Sequence, residues 1–207
     1  DDLRMDLFAA TDHHTHCPYK GDASYWTVKA GNKAEENLAW SYLDPFDEIP
    51  EIGGYVSFYW GRVDQWLEED EEIFGHARDP FKRVDVVLSH RPVRVVLGGE
   101  TVAETTNARF LFETNHQTRY YIPREDVRMD LLRPSETRSR CPYKGVAGYF
   151  NATVGDTPFE DIAWCYDDPI PECPKVKGLI CFFDENVDAT LVDGAAVPKV
   201  KTRWSNK

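Results

Sequence analysis

Short runs of β-branched and aromatic residues, each bounded by turn residues such as Gly, Asp and Pro, recur along the whole chain. Such runs are typical of β-strands, because branched and aromatic side chains pack well on a pleated, half-buried surface. They occupy residues 24–31, 55–60, 83–88, 149–155 and 179–183. The hydrophobic pattern therefore predicts a mainly β protein.

Three sequence motifs occur twice at a constant spacing. Placing each residue over the one 124 positions later aligns, without a gap, DLRMDL (2–7) with DVRMDL (126–131), CPYKGDASYW (17–26) with CPYKGVAGYF (141–150), and AWSYLDP (39–45) with AWCYDDP (163–169). Self-similarity of this kind is the signature of repeated structural units. We predict two tandem copies of one small β domain, at 1–75 and 92–207, joined by a linker at 76–91.

A strand-rich leader at 92–125 precedes the repeated motifs of the second copy. Its apolar alternation is interrupted at Gly98-Gly99 and at Thr106-Asn107, which predicts a hairpin followed by two further strands. The first copy has no counterpart of this leader. We favour the interpretation that the chain is a fragment that has lost it. The alternative is that the first copy borrows its missing strands from elsewhere.

The segment 62–74, after the first copy, departs from the strand pattern. Val63, Trp66, Leu67 and Phe74 recur near helical spacing, and acidic residues fill most of the other positions. This pattern predicts one amphipathic helix. We interpret its acidic side as a solvated face, and the alternative is a docking surface for a basic partner.

The net charge of −12 is carried entirely by the first third of the chain. Residues 1–75 contain 17 Asp and Glu against 5 Lys and Arg, whereas residues 76–207 contain 19 of each. A general nucleic-acid-binding protein needs a basic face, so this balance argues against one.

Membrane and disulfide classes are also disfavoured. No apolar stretch approaches the ~18 residues of a membrane-spanning helix, and no signal peptide is recognisable, so we expect a soluble, cytoplasmic protein. The five cysteines are an odd number without zinc-site spacing, so neither a disulfide framework nor a structural zinc is predicted. We expect no cofactor.

Polar and aromatic residues that both copies retain mark a candidate binding site. If AWSYLD is a strand, Trp40, Tyr42 and Asp44 share one face, and Arg4 and Asp6 of the LRMDL motif share a face in the same way. The candidate ligand-binding residues are Arg4, Asp6, Cys17, Tyr19, Lys20, Tyr25, Trp40, Tyr42, Asp44 and Glu48 in the first copy, and Arg128, Asp130, Arg138, Arg140, Cys141, Tyr143, Lys144, Tyr149, Trp164, Tyr166, Asp168 and Glu172 in the second.

Two interpretations of this set remain open. In the first, each copy has a polar pocket with aromatic walls. In the second, the Arg and Asp residues form structural ion pairs and the aromatic residues are core. For a pocket in the second copy we assign Arg128, Arg138, Arg140 and Lys144 to anion contact, Tyr149, Trp164 and Tyr166 to the apolar wall, and Asp168 and Glu172 to orienting the cations or to proton transfer.

The stretch HHTHC at 13–17 contains several residues that are competent metal ligands. Its His14 and His16 align with Arg138 and Arg140, and arginine binds no metal. A function common to both copies is therefore predicted to need no metal.

The CPYKG motif predicts a tight, preset turn. Pro18 fixes its own φ angle, and Gly21 allows a sharp turn after Lys20. A lysine this close lowers the pKa of a thiol, so Cys17 is a conceivable nucleophile. Neither Cys17 nor its counterpart Cys141 has a histidine partner common to both copies, so we favour a packed cysteine at the start of a turn.

The combination of R-M-D-L, C-P-Y-K-G with a following aromatic pair, and A-W-x-Y-x-D-P resembles the bacterial family known as domain of unknown function 427, which also carries a nucleotidyltransferase label. The match covers nearly the whole chain, including the tandem arrangement. The resemblance implies a compact, mainly β domain similar to the β-tent group.

The residues favour a protein that binds a small anionic metabolite in one pocket per copy. Two alternatives come from other classes: an interaction module that uses the acidic helix, and a nucleotidyltransferase-like enzyme. For the latter, the sequence has neither an Asp-x-Asp metal-binding pair nor a Gly-rich phosphate loop. A homo-oligomer is compatible with the sequence, whereas nucleic-acid and membrane partners are not expected.

Overall fold

The computed structural model describes residues 2–68 and 70–205. The chain divides into two compact units, Asp1–Gly75 and His76–Lys207. All strand pairs within both units are antiparallel, and the predicted mainly β class is confirmed. Within the described residues, no helix has the length and apolar character needed to span a membrane.

The first unit is a four-stranded sheet followed by a small ladder. Its strands are β1 (Phe8–Cys17), β2 (Gly21–Ala30), β3 (Lys33–Ser41), β4 (Ser57–Phe58), β5 (Leu67–Glu68) and β6 (Glu71–Glu72). The sheet order is β1-β2-β3-β4, so β4 lies at an edge, and β5 pairs with β6 alone. Short 3₁₀ turns occur at Met5–Leu7, Pro50–Ile52 and Trp60–Arg62.

The predicted amphipathic helix at 62–74 is wrong. In its place the chain forms the 3₁₀ turn Trp60–Arg62 and the ladder of β5 and β6. The Trp66 indole stacks on Trp60 with ring centroids 4.4 Å apart, packs edge-on against Phe58, and donates a hydrogen bond to the Trp60 carbonyl at 2.9 Å. Packed acidic residues without basic partners at i+4 repel one another in a helix. The tertiary contacts of Trp66 therefore favour this path of the chain over the helix that the spacing of the apolar residues predicts.

The second unit contains the remaining strands. These are β7 (Val84–Ser89), β8 (Val93–Leu97), β9 (Glu100–Thr105), β10 (Ala108–Glu113), β11 (Arg119–Ile122), β12 (Leu132–Cys141), β13 (Gly145–Val154), β14 (Thr157–Cys165), β15 (Ile180–Phe182), β16 (Ala189–Val192) and β17 (Ala195–Ala196). They form a seven-stranded sheet ordered β12-β13-β14-β15-β11-β10-β7 and a four-stranded sheet ordered β17-β16-β8-β9.

The leader and the expected linker both belong to the second unit. The leader forms β8 to β11, as its pattern predicts. Residues 76–91, expected to be a linker, contain β7, which pairs with β10 and closes one edge of the large sheet. The apolar alternation of 83–88 explains this difference, because such a run is more stable in a sheet than exposed in a connection.

Equivalent strands of the two units have the same register. Phe8 pairs with Val28 as Leu132 pairs with Ala152, and both ladders have an irregularity after the third pair. The glycine that ends the CPYKG turn has positive φ in both units, 95° at Gly21 and 99° at Gly145. Phe8–Ser41 and Leu132–Cys165 thus form the same three-stranded layer.

The two units differ in how this layer is covered. In the second unit, one face of the large sheet packs against the smaller sheet in a cluster that includes Val95, Phe110 and Ile122. The other face packs beneath the 166–179 loop in a cluster around Trp164 and Tyr121. In the first unit, the buried apolar residues are only Ala23, Tyr25, Leu38 and Ala39 among the described ones. The first unit therefore leaves more of its sheet face open.

Candidate functional site

The CPYKG turn of the second unit is anchored by a buried ion pair. The Lys144 ammonium lies 2.6 Å from the Glu113 carboxylate of β10, and both side chains are about nine-tenths buried. Lys82 and His116 also approach Glu113, at 3.3 and 3.5 Å. Burial lowers the pKa of Lys144, but Cys141 and Glu113 outweigh burial and raise it. The cation expected to contact an anion is thus already paired.

The same turn is exposed in the first unit. Tyr19 is 80% exposed, whereas its counterpart Tyr143 is buried and its hydroxyl accepts a hydrogen bond from the Asp79 amide. Lys20 lies over the Tyr42 ring, 5.8 Å from its centroid. The first unit has no strand equivalent to β10 among the described residues, so Lys20 lacks the carboxylate that Lys144 contacts.

The retained Arg–Asp pairs are exposed ion pairs. The expectation that LRMDL is a strand is wrong, because Met5–Leu7 and Met129–Leu131 are 3₁₀ turns. Two hydrogen bonds join Arg4 to Asp6, and two join Arg128 to Asp130. Each arginine lowers the pKa of its aspartate. These pairs lie on the surface rather than in a pocket, as the structural interpretation predicts.

The retained aromatic residues lie mostly in the core. Trp164 and Tyr166 are buried on one face, and the Trp164 indole donates a hydrogen bond to the Tyr121 hydroxyl at 3.2 Å. Burial raises the pKa of Tyr166 well above its usual range. In the first unit, Tyr25 is buried and its hydroxyl lies 2.8 Å from that of Thr15, and Trp40 is half-buried against Tyr59.

The remaining candidate residues of the turn region are distributed along β12 and β13. The Arg138 guanidinium donates hydrogen bonds to the carbonyls of Ser135 and Thr137 on its own strand, and Arg140 is exposed on the same strand. The Tyr149 hydroxyl lies 2.8 Å from that of Ser139. Cys17 and Cys141 are half-buried free thiols at the start of each turn.

Two carboxylates of the second unit are neutralised by nearby cations. Asp168 follows the end of β14 at Cys165, and its exposed carboxylate lies 3.3 Å from Lys177. Glu172 forms an ion pair with Arg78. Side chains alternate between the two faces only within a strand. Because Asp168 lies beyond the end of β14, this alternation does not place it on the same face as Trp164.

A cavity of about 750 Å³ lies in the first unit, between the CPYKG turn and the loop after β3. Its lining residues are His14, Gly21, Asp22, Ser24, Leu43, Asp44, Pro45, Phe46, Asp47 and Glu48. The Phe46 amide donates a hydrogen bond to the Lys20 carbonyl, which fixes the loop against the turn. A Cβ atom at Gly21 would lie 3.3 Å from the Asp44 carbonyl oxygen, so glycine permits this close approach.

The cavity is strongly acidic. Four carboxylates line it, and that of Asp22 lies 2.6 Å from His16. Within the described part of the chain, Asp44, Asp47 and Glu48 form no ion pair. In the second unit, the counterparts of Asp44 and Glu48 are the two carboxylates that pair with Lys177 and Arg78, and the counterpart of Asp47 is a proline. Negative charge is therefore concentrated in the cavity of the first unit.

A second polar cluster, in the second unit, was missed at the sequence level. Arg119 is 8% exposed and lies over the rings of Trp164 and Phe183. Its guanidinium forms two hydrogen bonds with Glu185 and one with Asp184. The first copy has no counterpart of Arg119, so comparison of the copies gave no signal for this cluster.

The acids of this cluster have opposite pKa shifts. Burial raises the pKa of Asp184 to about 6, even though its carboxylate accepts a hydrogen bond from Thr190. Burial also acts on Glu185, but hydrogen bonds from Arg119 and Thr202 outweigh it and lower its pKa to about 2. The cluster thus contains one carboxyl that titrates near neutral pH.

Asp184→Asn is expected to flatten the pH dependence of stability. Because its folded pKa of about 6 exceeds the unfolded value near 4, the native state binds more protons between these values. The contribution of Asp184 to the free energy of unfolding is therefore largest below about pH 4 and falls by about 2 to 3 kcal/mol as pH rises to 6. Urea unfolding of both proteins at several pH values measures this difference. If the free energy of unfolding of the two proteins changes with pH in the same way, the raised pKa assigned to Asp184 is wrong.

No group of three or more His, Cys, Asp and Glu side chains within residues 2–68 and 70–205 is arranged to hold a metal ion. In the HHTHC stretch, His13 packs against the Tyr25 ring and His16 pairs with Asp22. These histidines therefore make other contacts.

The family model described as Domain of unknown function (DUF427) matches residues 1–69 and 85–193. The two segments fall in the first and second units and together cover more than half of the chain. No curated protein matches the sequence.

Proposed function

The chain belongs to the DUF427 family, whose description states no activity, and we propose that its first unit binds an organic cation in the cavity beside the CPYKG turn. The observation that carries this proposal is the charge of the cavity. Three of its carboxylates, Asp44, Asp47 and Glu48, have no cationic partner in the part of the chain that the structure describes.

The cavity has both a charged and an apolar side. Leu43 and Phe46 line it with apolar surface, and they are 63% and 39% exposed. An amine or guanidinium group gains from the carboxylates, and an attached apolar or aromatic group gains from burial against Phe46. A compact amine with one aromatic ring matches this combination better than a purely hydrophilic cation.

The sign of the charge is opposite to the sequence-based expectation. That expectation placed an anionic metabolite in one pocket of each copy. An anion at Arg138 and Arg140 of the second copy stays a prediction, but Lys144 is buried against Glu113 and is unavailable to it. The cavity lining favours a cation in the first copy because like charges repel an anion there.

Binding is expected to be weak and sensitive to salt. The cavity is open to solvent, and exposed charge pairs contribute only about 0.2–1 kcal/mol each. Three such contacts contribute about 0.6–3 kcal/mol, and burial of one aromatic group adds about 1.5–3 kcal/mol. We therefore expect a dissociation constant in the millimolar range, on the order of −4 kcal/mol. Screening at higher ionic strength should weaken it further.

Phenethylamine and 3-phenylpropionate provide a matched pair of probes with the same ring and opposite charge. We expect isothermal titration calorimetry at low salt to detect phenethylamine but not 3-phenylpropionate. Asp44→Asn and Glu48→Gln should each weaken binding about twofold to fivefold, which corresponds to about 0.4–1 kcal/mol.

Asp168→Asn is the matched control, because it changes the counterpart of Asp44 in the second unit. It should leave the affinity for phenethylamine unchanged. Equal binding of both probes, or loss of binding in Asp168→Asn but not in Asp44→Asn, would contradict the proposal.

A further inference from the structure

Two histidines of β1 lie beside the acidic cavity of the first unit. His14 is one of its lining residues, and His16 follows two positions later on the same strand, so both side chains point to the same face. Their strand partners in β2 are Ser24 and Asp22, which also line the cavity. The β1–β2 ladder therefore places both imidazoles on the cavity face.

Two contacts join His16 to groups that line the cavity. Its Nδ1 atom lies 2.6 Å from the Asp22 carboxylate, and the imidazole donates this hydrogen bond because an ionised carboxylate can only accept. The His16 ring packs edge-on against Phe46, with the ring centroids 6.3 Å apart. His16 thus contacts one of the carboxylates and the aromatic ring that the proposed cation would contact.

The charged groups that line the cavity around these imidazoles are acidic. Lys20, in the turn between β1 and β2, is not one of the lining residues, and its ammonium lies over a tyrosine ring. A proton on either imidazole and an ammonium ligand are therefore attracted by the same carboxylates. These carboxylates come from β2 and from the loop after β3, and they belong to Asp22, Asp44, Asp47 and Glu48.

The second copy has permanent positive charge at the two histidine positions. Arg138 and Arg140 are the counterparts of His14 and His16, and arginine stays protonated at every physiological pH. The first copy has instead the side chain that changes its charge between about pH 5 and 8. Protonation of both histidines gives the first copy the charge that the second copy always has at these positions.

We propose that His14 and His16 make the cation site of the first unit sensitive to pH, so that an organic cation binds at neutral pH and is released in mild acid. This inference rests on the function proposed above. With neutral imidazoles, the four carboxylates give the cavity a formal charge of −4, and two imidazolium groups reduce the local charge to −2. Linkage requires the converse as well, so a bound cation disfavours protonation of both histidines.

The sign of the pH dependence follows from the chemistry of the groups involved. An alkylammonium ligand stays protonated at neutral and mildly acidic pH, and aspartate and glutamate side chains ordinarily titrate near pH 4. Imidazole is the type of group here that changes charge between these limits. The affinity for the cation should therefore be highest at neutral pH and should fall as the pH decreases through about 6.5.

NMR titrations of the full ¹⁵N-labelled chain with phenethylamine, at low salt and at about pH 7.5 and about pH 5.5, test the proposal. The amides of Gly21 and Asp22 report on the cavity. Each added positive charge should weaken binding about as much as one exposed ion pair strengthens it, which is a factor of about 1.4 to 5. For two histidines we expect the dissociation constant to be about twofold to twentyfold higher at the lower pH.

Substitutions of the histidines isolate their contribution. In His14→Gln with His16→Gln, the ratio of the dissociation constants at the two pH values should fall to about one, whatever the affinity at neutral pH. His13→Gln is the matched control, because His13 lies on the same strand but packs against Tyr25 on the opposite face. This control should retain the full ratio. His14→Arg with His16→Arg should bind the cation weakly at both pH values.

The possible outcomes separate this inference from the proposed function. Equal affinity at the two pH values, tighter binding at the lower pH, or a pH dependence that the double Gln variant retains would overturn the role of the histidines and leave the cation site standing. Absence of binding at both pH values would overturn the cation site and this inference together.

Discussion

Lys144→Met is expected to lower the free energy of unfolding of the second unit by about 3 kcal/mol or more. The substitution leaves the Glu113 carboxylate buried without its closest partner, and breaking a buried ion pair in this way costs about 3–5 kcal/mol. Lys82, at 3.3 Å, remains near Glu113 and places the expected loss toward the lower end of that range. Urea unfolding followed by circular dichroism measures the change.

The first unit supplies a matched control for this prediction. Lys20 occupies the same place in the same motif, but it lies at the surface over Tyr42. Lys20→Met should therefore change stability by less than about 0.5 kcal/mol. Replacing both partners, as in Lys144→Met with Glu113→Leu, should recover part of the loss because no charge remains buried. Equal effects of the two single substitutions would contradict the different roles assigned to the two turns.

Arg119→Met is expected to destabilise the second unit by about 3–5 kcal/mol. It leaves two carboxylates, Asp184 and Glu185, in a largely buried environment without their cation. It also removes the charged group that lies over Trp164 and Trp204 and so ties the C-terminal segment to the sheet. We expect lower urea midpoints together with a change in tryptophan fluorescence.

Arg138→Met is the control for Arg119→Met. Arg138 is exposed, and its guanidinium donates hydrogen bonds to carbonyls of its own strand, so its loss should cost less than about 0.5 kcal/mol. If Arg119→Met costs no more than Arg138→Met, the buried cluster contributes no net stability.

The strands were predictable because local sequence determines them. The final fold agrees with two local signals in the sequence. These are the glycines with positive φ at the turn ends, such as Gly21 and Gly145, and the β-branched runs between the turns. The segment 62–74 was not predictable, because its apolar spacing fits a helix while the contacts of Trp66 with Trp60 and Phe58 favour another path. Those contacts join residues through tertiary packing, which periodicity does not describe.

The candidate site was only partly predictable for a different reason. Comparing the two copies identifies what both need, and Lys144 and Trp164 indeed have structural partners in Glu113 and Tyr121. These partners lie in strands that have no counterpart among the described residues of the first unit, so the comparison could not assign them. Arg119 was missed for the same reason, because the first copy has no counterpart of it. The cavity carboxylates Asp44 and Glu48 were predicted as site residues, but their lack of cations follows from tertiary positions alone.

A two-dimensional ¹⁵N–¹H NMR titration with phenethylamine tests the central claim most directly. The account predicts concentration-dependent shifts of the amides of Gly21, Asp22 and residues 43–48, with no comparable shifts at the counterparts 145–146 and 167–172. These shifts should be lost in Asp44→Asn with Glu48→Gln and absent with 3-phenylpropionate. Shifts confined to the second unit, or the same shifts with both probes, would contradict a cation site in the first unit.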